Sequence, residues 1–111
     1  HIRYVQINAM KRSDVWGVSC DGSQYWAFIG TSTSNQVLLP GENTNAVTLA
    51  DRDITMGSFT VYFDKYGRPY SAYTDQTTNT PLSADLSITI DSTVSSSPQT
   101  ITITQETGYT P

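Results

Sequence analysis

The sequence is short of the residues that catalysis and covalent cross-linking need. The single histidine among the 111 residues is His1, and the single cysteine is Cys20. One cysteine cannot form a disulfide within the chain, and without an internal histidine neither a Ser-His-Asp nor a Cys-His site can be assembled. We therefore expect no enzymatic activity and no cofactor, which makes a secreted hydrolase the least favoured class. Cys20 lies between two apolar runs without a neighbouring cation, so it is predicted to be an inert thiol; a disulfide to a cysteine outside this sequence is the alternative.

Charged residues and long apolar runs are also scarce. Asp, Glu, Lys and Arg make up 14% of the chain, and the net charge is −4. Ordinary domains are about one quarter charged, and nucleic-acid binding needs a basic stripe that an acidic chain lacks. No apolar run reaches the roughly 18 residues that a membrane-spanning helix needs. The length fits one domain, and no nucleic-acid partner is expected.

Residues 2–12 have the spacing of an amphipathic helix. Ile2, Val5 and Ala9 recur at i, i+3 and i+7, which places them on one face. Because no capping residue precedes Ile2, we expect residues 1–14 to be the carboxyl-terminal end of a longer helix.

The rest of the chain reads as short strands separated by turns. Asp21-Gly22 lies between two aromatic-rich runs and is a strong hairpin signal. Near the end, the segments ADLSITID and QTITITQ predict a closing antiparallel hairpin in which Ile101 and Ile103 share the buried face.

This order of elements predicts an α+β fold. A helix over residues 1–14 would be packed on an antiparallel β-sheet domain over residues 15–111, with six or seven strands. Polar loops are expected at residues 30–36 and 75–81.

Three carboxylates are weak candidates for a metal site. Asp51 and Asp53 flank Arg52, and Asp64 follows the segment FTVYF. Oxygen ligands of this kind suit Ca²⁺, but the spacing matches no EF-hand loop. We therefore predict no bound metal and regard these three acids as surface residues.

The residues that follow Asp64 predict a tight turn. Gly67 can adopt a positive φ, and Pro69 fixes its own φ at the end of the turn. Arg68 is expected to pair with an acid, either Asp64 or Glu106, and such a pair would support the fold.

Most aromatic residues lie inside predicted strands, where core packing is their usual role. Tyr70 and Tyr73 adjoin polar loops instead. These two tyrosines are therefore the predicted surface-contact residues.

Three segments together resemble one family. The run FTVYFDKYGRP is similar to the strand and F-D-x-x-G-R-P turn of H-type pseudopilins and minor pilins, and ITITQETGYTP is similar to their closing strand. IRYVQINAMKRSD resembles the segment in which the long pilin helix enters the head domain. Minor pilins of the mannose-sensitive-haemagglutinin type IV pilus, related to the H pseudopilin of type II secretion, are the members that the chain resembles most. The residues that carry the motif are Gly67, Arg68, Pro69, Glu106, Thr107, Gly108 and Tyr109.

The resemblance implies a structural subunit of a type IV pilus or pseudopilus. A hydrophobic helix of about 20 residues would precede Ile2 and hold the precursor in the inner membrane before assembly. Ile2, Val5 and Ala9 would then pack against other pilin subunits, and the inner-membrane assembly machinery would be a second partner. The location would be an extracellular pilus or a periplasmic pseudopilus. Many pilins close a loop with a cysteine pair that this chain lacks, which favours a minor over a major subunit.

A second function stays open beside the structural one. The domain would be an adhesive or carbohydrate-binding β module at a filament tip, using loops 30–36 and 75–81 and the nearby tyrosines to contact a surface or a glycan. An exposed apolar stripe on the helix would favour the filament subunit, whereas a concave aromatic pocket would favour the binding module.

Overall fold

The computed structural model describes residues 2–52, 54–75, 77–92 and 99–104. Helix α1 spans Ile2–Arg12, and a short 3₁₀ helix spans Leu49–Arg52. The strands are β1 (Trp16–Cys20), β2 (Gln24–Ile29), β3 (Gln36–Val37), β4 (Ala46–Thr48), β5 (Ile54–Met56), β6 (Phe59–Phe63), β7 (Pro69–Tyr73), β8 (Asn79–Pro81), β9 (Leu86–Ser92) and β10 (Gln99–Ile103). One helix followed by antiparallel strands confirms the α+β class.

Helix α1 ends in a defined cap. Ser13 adopts a positive φ of 51°, and the Asp14 N–H donates a hydrogen bond of 3.1 Å to the Ala9 carbonyl oxygen. This is the long hydrogen bond of a Schellman motif, which turns the chain away from the helix axis. The chain then enters β1 within three residues.

The larger sheet has the order β3-β2-β1-β6-β7-β8, and β4 pairs with β2 beside β3. Its β1–β2 hairpin is closed by Asp21, whose Oδ1 accepts hydrogen bonds of 2.9 Å from the backbone N–H groups of Ser23 and Gln24. Gly22 has a φ of +96° in this turn. The hairpin predicted from Asp21-Gly22 is therefore confirmed.

A smaller sheet has the order β10-β9-β5. In its antiparallel hairpin, Ile101 lies opposite Ile88 and Ile103 opposite Leu86, which confirms the predicted pairing of the last two strands. The described residues form ten strands in two sheets, so the expectation of six or seven strands was too low. Short strands such as β3 and β5 account for the difference.

The hydrophobic core joins residues from the helix and from both sheets. Val5 and Ala9 are fully buried and belong to the same cluster as Val18, Val61 and Ile103. Close packing explains Gly17 in the central strand, because a Cβ there would lie 2.2 Å from Phe28 Cζ and 2.7 Å from the Val61 carbonyl oxygen.

Candidate functional site

The turn between β6 and β7 is organised by one buried carboxylate. Asp64 is only 8% exposed, and its Oδ1 accepts hydrogen bonds of 2.9 Å from the backbone N–H groups of Tyr66 and Arg68. The Gly67 N–H donates to the Asp64 carbonyl oxygen at 2.9 Å. Gly67 has a φ of +80°, as predicted for this position. The turn is therefore held by both the side chain and the main chain of Asp64.

The second carboxylate oxygen of Asp64 holds a tyrosine. The Tyr70 hydroxyl donates a hydrogen bond of 2.8 Å to Asp64 Oδ2. Burial of the ring and this bond to a carboxylate raise the pKa of Tyr70 to about 12. The Tyr73 ring meets the Tyr70 ring edge-on at 5.0 Å between centroids, and burial, followed by the charges of Asp64 and Asp75, raises the pKa of Tyr73 as well.

The helix is tied to the same turn. The Gln6 side chain donates a hydrogen bond of 2.9 Å from Nε2 to the Gly67 carbonyl oxygen. A Cβ on Gly67 would lie 2.9 Å from Met10 Sδ and 3.3 Å from Gln6 Nε2. The missing side chain at Gly67 thus permits the close approach of α1 and the turn.

A cleft of about 500 Å³ lies between the end of α1, the β6–β7 turn and the far end of β7. We call it the tyrosine cleft. Its lining residues are Ser13, Asp14, Val15, Asp64, Lys65, Tyr66, Arg68, Tyr70, Tyr73 and Asp75. Pockets of a few hundred Å³ with convergent polar groups are the usual binding sites of small ligands.

The exposed charges of the tyrosine cleft are balanced. Asp14, Lys65, Arg68 and Asp75 are exposed, so two carboxylates face two cations. Asp64 is a third acid; its oxygens accept from the turn and from Tyr70, but its charge remains. The cleft therefore combines acceptors, donors and tyrosine rings with charges of both signs and a small excess of acid.

Both exposed acids of the cleft keep one oxygen available. Asp14 Oδ1 accepts the Val15 N–H at 2.8 Å, and Asp75 Oδ1 accepts the N–H groups of Thr77 and Thr78 at 2.8 and 2.7 Å. The hydrogen bonds from Thr77 and then Thr78 lower the pKa of Asp75 and keep it ionised. In both acids the bonds from the main chain of the turn go to Oδ1, and none of them goes to Oδ2.

The helix carries a second apolar face. Tyr4, Ile7 and Met10 recur at i, i+3 and i+6 and are 37%, 45% and 51% exposed. We call them the outer stripe. At 3.6 residues per turn, Ile7 points away from the side of the helix that holds Val5 and Ala9. The helix is thus apolar on its inner face and partly apolar on its outer face.

The apolar residues predicted to pack against other subunits lie in the core of this domain instead. Ile2 is 8% exposed, and Val5 and Ala9 have no exposed surface. This differs from the expectation because the i, i+3, i+7 spacing identifies the apolar face but not the surface that covers it. Tyr4, Ile7 and Met10 are the apolar helix residues that remain exposed.

The two predicted surface tyrosines have different positions. Tyr70 is 6% exposed and its hydroxyl is bonded to Asp64, so the structure corrects its assignment as a contact residue. The reason is that the start of β7 faces inward, where Pro69 is also buried. Tyr73 is half-buried and lines the tyrosine cleft, and its role in surface contact stays a prediction.

The three weak metal candidates are not brought together as a described site. Asp51 is exposed on the 3₁₀ helix, Asp64 is buried in its turn, and Asp53 lies outside the described residues. Arg52, between the two acids, forms an ion pair with Glu42. Within the described ranges, no group of three His, Cys, Asp or Glu side chains could hold a metal ion.

Part of the resemblance motif has a structural role in the turn. Gly67 supplies the positive φ, and Pro69 begins β7. The backbone N–H of Arg68 donates a hydrogen bond of 2.9 Å to Asp64 Oδ1. The remaining motif residues lie outside the described part of the chain; they are Glu106, Thr107, Gly108 and Tyr109. Glu106 is also the second acid that was predicted as a partner of Arg68.

Five lining residues of the cleft were not predicted as contact residues: Ser13, Asp14, Val15, Lys65 and Tyr66. They come from two separate segments that meet only after folding, whereas Asp75 lies in the loop 75–81 that was expected to make contacts. Asp75, followed closely by Thr77 and Thr78, does carry a local signal, because an Asp before hydroxyl residues favours an Asx turn. That signal locates a turn but does not indicate a cleft.

Comparison of the chain with protein-family models, curated proteins and solved structures finds no match. In the described part of the chain, no helix combines the length and apolar character needed to cross a membrane.

Proposed function

We propose that the chain is the head domain of a structural subunit of a type IV pilus or pseudopilus, of the minor-pilin or H-type pseudopilin kind. Its role is filament assembly and surface contact, with no catalytic step and no cofactor. Other pilin subunits and the inner-membrane assembly machinery are its partners. It would reside in the inner membrane before assembly and afterwards in an extracellular pilus or a periplasmic pseudopilus.

The observation that carries the proposal is the outer stripe. A helix that is apolar all round is normally buried. The domain covers the side with Val5 and Ala9, and it also contacts the margins of the stripe, because Tyr4 meets the Trp16 ring edge-on and Met10 lies beside Gly67. Tyr4, Ile7 and Met10 remain exposed. We assign this outer stripe to the contact with a neighbouring subunit, and helix α1 to the carboxyl end of the long pilin helix.

The gene sequence upstream of Ile2 gives the first test. The proposal expects a short basic leader followed by an apolar stretch of about 20 residues that continues directly into α1. A native start codon within a few residues of Ile2 would contradict it.

The second test examines the outer stripe in the full-length protein. Ile7→Ser in the native gene should reduce incorporation of the subunit into filaments, measured by immunoblot of sheared filaments. Leu38→Ser is the matched control, because Leu38 is also an exposed apolar residue, at 51%, but lies outside the helix. Equal incorporation of both variants and the wild type would refute the assignment of the stripe.

A second candidate function is favoured by the tyrosine cleft. The cleft is concave, and Tyr66, Tyr70 and Tyr73 line it together with exposed polar groups. This arrangement supports a binding module at a filament tip. The segment from residue 75, one of the two loops expected to make such contacts, contributes Asp75 to the cleft.

A further inference from the structure

We propose that the tyrosine cleft binds a neutral sugar, with Asp14 and Asp75 accepting from its hydroxyl groups and Tyr66 and Tyr73 contacting its ring. This inference rests on the binding-module function and is independent of the filament proposal.

The lining residues of the cleft carry both signs of charge, three carboxylates and two cations, and this mixture favours a neutral ligand. Lys65 and Arg68 would attract an anion, but the carboxylates of Asp14 and Asp75 line the same cleft and oppose it. A simple cation is disfavoured by the same two basic residues. A polyhydroxylated neutral molecule needs acceptors and donors at once, because each hydroxyl group both donates and accepts.

The available acceptors are carboxylate oxygens. The backbone N–H groups of their own turns bond Oδ1 of Asp14 and Oδ1 of Asp75, so Oδ2 of each carboxylate is not held by the main chain of its turn. A carboxylate whose first oxygen is fixed presents the second in a defined direction, and hydrogen bonds to a charged acceptor are the stronger ones. Sugar hydroxyl groups are matching donors.

The aromatic rings supply the apolar side of the contact. Tyr66 lines the cleft and is 76% exposed. No other large apolar residue of the described chain is as exposed. Tyr73 is half-buried and is braced by the edge-on ring of Tyr70 at 5.0 Å. A sugar presents C–H groups on the faces of its ring, and an aromatic surface with a polar tip suits such a mixed ligand. The volume of about 500 Å³ is adequate for one or two sugar units.

The test is a titration of the ¹⁵N-labelled domain with glucose, galactose and N-acetylglucosamine, followed by amide chemical shifts. Binding of at least one neutral sugar should move the amides of Lys65, Arg68, Tyr73 and Asp75 along saturating curves. Asp75→Asn keeps an Oδ1 acceptor for the local turn but replaces the free acceptor with a donor. It should weaken binding roughly tenfold, as expected for loss of a hydrogen bond to a charged group.

Two further variants and two charged sugars complete the test. Tyr66→Ala should weaken binding because the ring is lost, whereas Leu38→Ala, outside the cleft, should leave it unchanged. Glucuronate and glucosamine probe the charged classes. If only a charged sugar moves the cleft amides, the binding module stands and the neutral class is refuted. If no sugar moves them, or if binding survives both cleft variants, the sugar site is refuted, while the filament proposal remains to be judged by the Ile7 variant.

Discussion

Replacing Tyr70 with phenylalanine should change the way in which the stability of the domain depends on alkaline pH. The Tyr70 hydroxyl donates to Asp64 Oδ2 at 2.8 Å, and its pKa is raised from 10.0 to about 12. Between these two values the unfolded chain loses the phenolic proton while the folded protein keeps it. Stability from this group is therefore present below pH 10 and is lost as the pH rises through the folded pKa.

The magnitudes follow from that shift. One pKa unit corresponds to about 1.4 kcal/mol, so the wild type should lose about 2 kcal/mol from Tyr70 by pH 12. At neutral pH, Tyr70→Phe removes the donor to a buried carboxylate oxygen and should cost about 1–3 kcal/mol. The stability gap between wild type and variant should consequently close as the pH approaches 12.

Urea unfolding at a series of pH values from 7 to 12 measures both quantities. Tyr66→Phe is the matched control, because Tyr66 is 76% exposed, and it should follow the wild type throughout. Tyr25, whose pKa is also raised, contributes equally to all three proteins, and Tyr70→Phe keeps the ring that Tyr73 contacts. A gap between wild type and Tyr70→Phe that is the same at pH 8 and pH 12 would refute the coupling between Tyr70 and Asp64.

Two further substitutions test the core. Ile103 is fully buried opposite Leu86, so Ile103→Ala should lower the free energy of unfolding by about 2–5 kcal/mol. Thr102→Ala, on the other face of the strand, should change it little. Equal urea midpoints for the two variants would contradict the register of β10 against β9. Gly17→Ala should destabilise strongly, because its Cβ would meet the Val61 carbonyl oxygen at 2.7 Å, whereas Gly57→Ala adds a Cβ with nothing within 4 Å. A thermal midpoint for Gly17→Ala as high as that for Gly57→Ala would show that the packing is looser than described.

Local chemistry allowed several elements to be predicted from the sequence. Asp21-Gly22 predicted the β1–β2 hairpin because Asp accepts from the following N–H groups and Gly takes the positive φ. The alternation of Ile101 and Ile103 predicted the last hairpin because the side-chain period of a strand is two. The Ile2, Val5 and Ala9 spacing predicted the buried side of α1, although not the surface that buries it.

The features that escaped prediction depend on contacts between distant segments. Strand β5 has only three residues and is defined by its pairing with β9, in which Met56 lies opposite Ile90. Pro69 and Tyr70 are adjacent and both buried, and the pairing of β7 with β8 shifts register between Tyr70 and Ala72. Such an irregularity breaks the alternation on which a sequence-based assignment of faces relies.

Burial of the single cysteine gives the domain an internal reporter of its own opening. Cys20 ends the central strand β1, lies opposite Tyr25 on one side and Phe59 on the other, and is 3% exposed. A thiol-specific reagent can reach its sulfur only after these neighbours separate. The rate at which a maleimide labels the native protein is therefore governed by how often the sheet opens, in the same way as the exchange of a protected amide. Because the chain has no other thiol, the opening frequency at this one place can be followed without engineering a label.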